Sequence, residues 1–472
     1  MQIKLGRAAL ILGWMALVLG PLVPTLVPVA LTAHDLTRAV QLPLLLLAAL
    51  ALVFQSAAAP RLHPWTMAQS VLLIVLVGLS AANAAIPGVA WREVALFAGL
   101  IGWSIWIAGH SGGERLAPWM GVVCLSQLLY GLMFMGLLVA ALAGQQPVLL
   151  WEMSLGYDNP RFLNHVQTVV LPLLLGIAAQ PGATRRTRLM AIVALTLQLF
   201  LLLSTLGRST MVSVVVGAGV VMLVVGAASR RWIGLGLATT AVALVAYLAL
   251  QSGVVPVQQA VGYRPTAKEL TSDHSRQYLW NIAISDSQRS PWLGVGPMHF
   301  AHEVNEKGAH PHNHYLQMAA ELGWPATLAV VALMLRGISA MARALRAEHN
   351  ADRRAIGCGL LGAGVAVAVD ACFSGNLVMP ISQIWIFTLI GLSFSWYQGR
   401  SRPDAVEPLA GATIRPKVWL AARAVLVMAA FWSCVAASKE ISASTPHLQA
   451  EGCRESSSQD VSRPRYWSYG WF

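Results

Sequence analysis

Three short stretches hold most of the side chains that could do chemistry. In the first, His310, His312 and His314 alternate and run into Asn313, Tyr315, Gln317 and Glu321. A neutral imidazole can take a proton near neutral pH. Asn313 is placed to cap a following helix, because its side-chain oxygen accepts from free N–H groups. His312 would then sit just ahead of that helix. His314, Gln317 and Glu321 are spaced i, i+3, i+7 and would share one helical face. The second stretch is STLGRST, residues 204–210, with Arg208 between two apolar runs and Ser209 available as a cap. The third is NPRFLN, residues 159–164, with Arg161. A guanidinium donates two bonds at once to a phosphate. The ordinary alternatives are an arginine snorkelling at a membrane interface for Arg208 and a loop-surface residue for Arg161.

Other chemistries lack their residues. None of the eight aspartates stands two positions from another, so an Asp-x-Asp divalent-metal site is not encoded. The alternating histidines would share a face on an extended strand and could take zinc, but Pro311 and the helix that follows disfavour that strand. The five cysteines, 124, 358, 372, 434 and 453, form no CxxC pair. No glycine-rich phosphate loop or Ser-His-Asp pattern is present. No metal and no cofactor are therefore expected.

The elements that position these residues are membrane helices. Of 472 residues, 56% are hydrophobic and 11% charged, against roughly 25% charged in an average soluble domain. This composition excludes a soluble globular protein, and its apolar content excludes disorder. Apolar runs long enough to span a bilayer cover about 7–31, 39–58, 66–86, 92–109, 117–142, 164–180, 188–206, 209–228, 232–250, 316–336, 355–373 and 378–398. The expectation is an all-α polytopic integral membrane protein with twelve transmembrane helices. A thirteenth, 418–437, carries Arg423. The net charge of +12 reads as topology, not as a nucleic-acid footprint, because no basic block is interleaved with aromatics. With the N-terminus inside, arginine-rich connections such as 185–188, 230–231 and 336–354 all fall inside, while Arg38, Arg92, Arg161 and Arg208 stand singly outside.

Residues 1–250 then hold helices 1–9, 251–315 form one large outer loop carrying site residues, and 316–398 hold helices 10–12. Residues 399–472 comprise an inner connection, the thirteenth helix and a tail. The tail ends in RPRYWSYGWF and reads either as interfacial or as disordered. The sixth, eighth and tenth runs would start at the outer face, where helix N-termini offer positive dipole ends and free N–H groups. If these ends converge, Arg161, Arg208 and the His312–Asn313 pair form an anion site.

These stretches resemble the O-antigen ligase family, within a larger group that includes O-antigen polymerases and protein O-oligosaccharyltransferases. The resemblance rests on Arg208 in its short turn and on RQYLW, with Arg276 four before Trp280. It rests also on PWLGVG with Phe300, and on HPHNHYLQ…ELG through Gly323. Two positions depart from the pattern: Gly207 precedes Arg208, and Pro325 follows Trp324 where a glycine is common. The resemblance implies transfer of a glycan from undecaprenyl diphosphate to lipid A–core oligosaccharide, at the periplasmic face of a bacterial inner membrane. Arg208, Arg276 and Arg161 would hold the diphosphate. His312 would be the base, with Asn313, Tyr315, Gln317 and Glu321 in support. A polymerase or a protein O-oligosaccharyltransferase is the alternative within the group, and a non-enzymatic lipid or sugar transporter the alternative outside it. A transporter should concentrate polar residues at mid-membrane, whereas here they concentrate at one face.

Cysteines introduced in 255–310 are expected to react with an impermeant thiol reagent from the outer side, and those in 340–352 only after permeabilisation. Labelling of 255–310 from the inner side only would refute the topology.

Overall fold

The computed structural model describes residues 2–26, 31–53, 61–111, 116–144, 148–149, 154–252, 260–261, 276–302, 305, 307–399, 412–455, 465–468, 470 and 472. Its helices in chain order are α1 (Gln2–Leu19), α2 (Val23–Leu26), α3 (Ala33–Val53), α4 (Pro64–Ala82), α5 (Pro87–His110), α6 (Leu116–Ala143), α7 (Pro160–Ala178) and α8 (Arg185–Thr205). They continue as α9 (Arg208–Val225), α10 (Arg230–Gln251), α11 (Arg276–Arg289), α12 (His314–Arg346), α13 (Ala351–Asp370), α14 (Pro380–Gln398) and α15 (Pro416–Glu455). Two pairs of two-residue strands complete the architecture: Arg61–Leu62 lies antiparallel to Ala412–Thr413, and Val148–Leu149 parallel to Ala260–Val261.

Helices predominate because a chain in hydrocarbon must satisfy its backbone polar groups internally. Among the described residues, nine helical stretches are long and apolar enough to cross a membrane. The count differs from twelve for physical reasons. α9 and α10 remain two helices, separated at Gly226, φ 58°, and the 3-10 turn Gly226–Ser229, and they enter the nine together as the 44-residue stretch Arg208–Gln251. The first run, expected over 7–31, stops at Leu19, where Gly20 and Pro21 break it. Ala351–Asp370 carries Asp352, Arg353, Arg354 and Asp370 within its 20 residues, and Pro380–Gln398 is interrupted by serines and glutamines. The expected thirteenth run lies in α15, whose part Pro416–Lys439 is among the nine. The fold is that of a polytopic membrane protein.

The most enclosed helix is α7, buried along nearly its whole length against α8, α9 and α13. Glycines set its closeness to α13: a Cβ on Gly359 would stand 2.7 Å from the Pro172 carbonyl oxygen. Small residues serve this purpose between membrane helices. Apolar side chains such as Ile74, Val215 and Leu223 are exposed on the outside of the bundle, as a lipid-facing surface requires.

The stretch expected as one long loop, 251–315, contains the helix α11. It forms because Leu279 and Ala283, one turn apart, are buried with Phe300 and Ala320 in a small apolar cluster. Arg264, Lys268 and His274 lie outside the described residues.

α12 is broken two to three turns from its start. Gly323 has φ 79° and ψ 167°, and Pro325 follows. A proline has no N–H to donate, so the Glu321 carbonyl loses its helical partner. The Trp324 N–H turns away to the Pro291 oxygen at 2.9 Å, which frees the Ala320 carbonyl as well. The PWLGVG segment fills both vacancies: Val295 N–H donates to Ala320 O at 2.8 Å and Gly296 N–H to Glu321 O at 3.0 Å. The departure at Pro325 is thus what lets the loop clip onto the helix.

Gly323→Ala is expected to lower the unfolding free energy in detergent, by about 1–3 kcal/mol for a backbone region open essentially only to glycine. Further cost comes from a Cβ placed 2.5 Å from Trp292 backbone atoms. Gly337→Ala in the same helix, where a Cβ meets nothing within 4 Å, is expected to be neutral or mildly stabilising.

Candidate active site at one end of the bundle

The N-terminal ends of α7, α9 and α12 meet at one end of the molecule. Asn159 caps α7, its Oδ1 accepting from Arg161 N–H at 2.9 Å. The Arg161 guanidinium donates through Nη1 to the carbonyls of Thr205, 3.1 Å, and Leu206, 2.7 Å. Arg161 therefore holds the turn that carries Arg208. Inside that contact Thr210 Oγ1 donates to Asn164 O at 3.0 Å, and Thr168 and Thr210 share a hydrogen bond of 3.0 Å. The turn needs Gly207, since a Cβ there would lie 2.7 Å from Asn164 and from Leu202. Arg208, half-buried, begins α9. Gly207, not Ser209, is the N-cap, and no side chain caps this end.

α12 joins the same group. His314 N–H donates to Ala371 O at 2.8 Å, and Tyr315 Oη–H to Ala368 O at 2.8 Å, which ties its first turn to the end of α13. α13 is linked in turn to α7 through His165 and the fully buried Asp370, with Nδ1 and Oδ2 3.5 Å apart. Asp370 also accepts from Ser374 Oγ at 2.7 Å. Asn313 caps α12 as expected from its position, accepting from Tyr315 N–H and Leu316 N–H at 3.1 Å each.

His312 sits directly ahead of that cap in left-handed backbone, φ 53°. A non-glycine residue adopts this conformation only when its surroundings impose it. Trp280 of α11 donates from Nε1 to the Pro311 carbonyl at 3.0 Å. His310 accepts the His312 N–H at 3.3 Å, and the two rings meet edge to face with centroids 4.1 Å apart. His310 is buried against Gly375, where a Cβ would come within 2.4 Å of its ring. Burial, with Arg276 and His165 nearby, pushes the His312 imidazole down to about 3. Burial and the neighbouring His312 push His310 down as well. Both rings are neutral at neutral pH. Among the described residues, all three non-glycine positions with left-handed backbone, Leu206, Met298 and His312, lie in the segments that build this end. The turn at His312 also removes the shared strand face that three zinc-binding histidines would need. Among the described residues no group of three or more His, Cys, Asp or Glu is arranged to hold a metal ion.

Glu321 is buried behind this surface. Its Oε1 accepts from Phe300 N–H at 3.2 Å and its Oε2 from Gln317 Nε2 at 3.3 Å. Its remaining partner is Arg465, whose Nη2 lies 2.8 and 2.7 Å from the two carboxylate oxygens. The carboxylate thus faces protein, as its place in an apolar helix demands.

An arginine in a tight turn, a second arginine beside a neutral histidine, and a capped helix behind them come from STLGRST, RQYLW and HPHNHYLQ, in chain order. Residues 191–331 match the family described as O-antigen ligase. No curated protein matches the chain. The O-antigen ligase match runs from α8 into the second half of α12, and so contains Arg208, Arg276, His312, Asn313, Tyr315, Gln317 and Glu321. Arg161 lies before it.

The structure brings Arg161 to the Arg208 turn and Arg276 to the His312 ring. Three participants were not anticipated. His165 and Asp370 carried a signal, since titratable residues within apolar runs are costly unless paired. Arg465 carried none by itself, because nothing in RPRYWSYGWF names Glu321 as its partner.

Asp370→Ala is expected to leave Ser374 without its acceptor and His165 without its charged neighbour, and to lower the unfolding free energy by about 1–3 kcal/mol, the penalty of stranding a buried donor. Asp370→Asn, which still accepts from Ser374, is expected to recover part of it.

Proposed function

We propose that this chain is an inner-membrane O-antigen ligase acting at the periplasmic face. In this reading it moves a glycan from undecaprenyl diphosphate to lipid A–core oligosaccharide, with inversion and without a metal. The observation that carries the reading is a neutral His312 beside Arg276, at the meeting point of three helix N-termini. Such a point favours an anion. Arg208 and Arg276 hold the diphosphate; Arg161, whose Nη1 serves the turn carbonyls, orients Arg208 and adds positive charge.

The reaction needs little else. The acceptor hydroxyl oxygen attacks the anomeric carbon while the bond from that carbon to the diphosphate oxygen breaks, its electron pair leaving with undecaprenyl diphosphate. The leaving group is a weak base, so charge stabilisation matters more than protonation. His312 takes the hydroxyl proton. A single displacement of this kind inverts the configuration and needs no pair of nearby carboxylates. An imidazole held at about 3 is a weak base. Burial is the main cause of that low value and Arg276 the second; a diphosphate docked on Arg276 offsets the second and so moves the ring toward greater basicity.

The test is purified protein in liposomes with carrier-linked glycan and lipid A–core, scored for ligated product. His312→Ala is expected to lower turnover by roughly 10²–10⁴-fold, the usual contribution of a general base, with donor binding retained. Arg276→Ala is expected to lose donor binding and turnover together, and Arg276→Lys to recover part of both, since lysine keeps the charge and loses the fork. Product only with a second carrier-linked glycan as acceptor would make the chain a polymerase. Near-normal turnover in His312→Ala would remove it as the base.

A further inference from the structure

The C-terminal tail was expected at the membrane interface or disordered. Its described residues instead run through the interior at the site end. Arg465 is 2% exposed and donates through Nη2 to Glu93 Oε1 and Oε2, 2.9 and 3.1 Å, as well as to Glu321. The Tyr466 ring is flanked by two guanidiniums, with Arg92 4.2 Å and Arg38 5.1 Å from its centroid. Its backbone oxygen accepts from Arg38 Nε at 3.1 Å. Ser468 donates from both N and Oγ to Asp35, 2.6 Å each. The Phe472 ring stacks on His302 and meets His299 edge-on.

Charge decides how to read this. With the tail in place, Arg38, Arg92 and Arg465 stand among Asp35, Glu93 and Glu321, and the charges balance. Without it, Glu321 loses the guanidinium that it shares with Glu93. Leaving one member of a buried ion pair without the other is strongly unfavourable. A removable plug would have the opposite character: the vacated pocket would be satisfied by itself. Arg465 also reaches the site through hydrogen bonds. The Glu321 carboxylate it neutralises holds Phe300 N–H. The Glu321 carbonyl holds Gly296 N–H and Ser80 Oγ. That loop follows α11, which carries Arg276 and the Trp280 that pins Pro311.

We propose that the stretch 465–468 is a fixed part of the site end, and that Arg465 is a positioning residue acting through Glu321 on the 291–302 loop. The activity arm of the test rests on the glycan-transfer reading above; the docking arm does not.

In a background without native cysteines, Asp35→Cys and Ser468→Cys joined by a short bifunctional thiol reagent should cross-link in intact membranes. The locked protein should keep its turnover within about twofold. Loss of transfer on locking, restored on cleaving the link, would mean that the tail has to leave, and would overturn the proposal. Arg465→Gln should lower turnover by about 10–100-fold with the donor KM little changed, the pattern of a misplaced reacting group. Arg465→Lys should recover part of the loss. Arg465→Gln with Glu321→Gln should recover more than either single change predicts, in turnover and in melting temperature. If the wild-type protein transfers no glycan, the ligase reading fails while cross-linking and the melting-temperature cycle still score the docking. Absence of the cross-link together with additive melting shifts would defeat the inference on its own.

Discussion

A carboxylate two turns inside an apolar helix has to be neutralised, and Glu321 is where this protein meets that constraint. Its side chain accepts from Gln317, Phe300 and Arg465, and its carbonyl from Gly296 and Ser80. Three segments distant in sequence, α4, the 291–302 loop and the tail, therefore converge on one residue. The break at Gly323 and Pro325 makes this possible, because it turns the Glu321 carbonyl from a helical acceptor into a docking point for the loop. Ion pairing and helix breaking, each unfavourable alone in a bilayer, compensate each other here.

The chemistry stands on that frame at one remove. α11 is packed on α12 through Leu279, Ala283, Phe300 and Ala320, and from it Trp280 reaches the Pro311 carbonyl. The His312 backbone is thereby held in a conformation it would not choose, with its ring against His310 and under the influence of Arg276. On the other side, Arg161 fastens the Arg208 turn to α7, and His165 with Asp370 fastens α7 to α13. The helix dipoles, the two candidate phosphate-binding arginines and the neutral ring thus belong to one rigid framework. Preorganisation of this kind is how an active site stabilises charge without reorganising during reaction.

Much of this is legible in the residues. The apolar runs dictate helices, since only helices satisfy the backbone within a segment. The step from His312 to Asn313 marks a helix start, because a short polar side chain can cap free N–H groups, and Asn313 does so. The i, i+4 spacing of Gln317 and Glu321 predicts their shared face, and they are hydrogen-bonded. All of these are local relations, settled within a few residues by backbone geometry.

Tertiary structure decided what depends on partners far along the chain. Nothing local distinguishes Arg465 from a solvated tail arginine; its role exists only because Glu93 and Glu321 are brought face to face and leave a charge to be balanced. His310 meets His312 edge to face because Gly375 leaves room for its ring. Ser209 reads as a cap until Asn164 crowds the turn and Gly207 takes that position. The sequence by itself determined which segments become helices and where polar chemistry gathers, because those follow from solvent and spacing. Which arginine neutralises which carboxylate was decided by the fold, because a buried charge is paired with whatever the packing delivers to it.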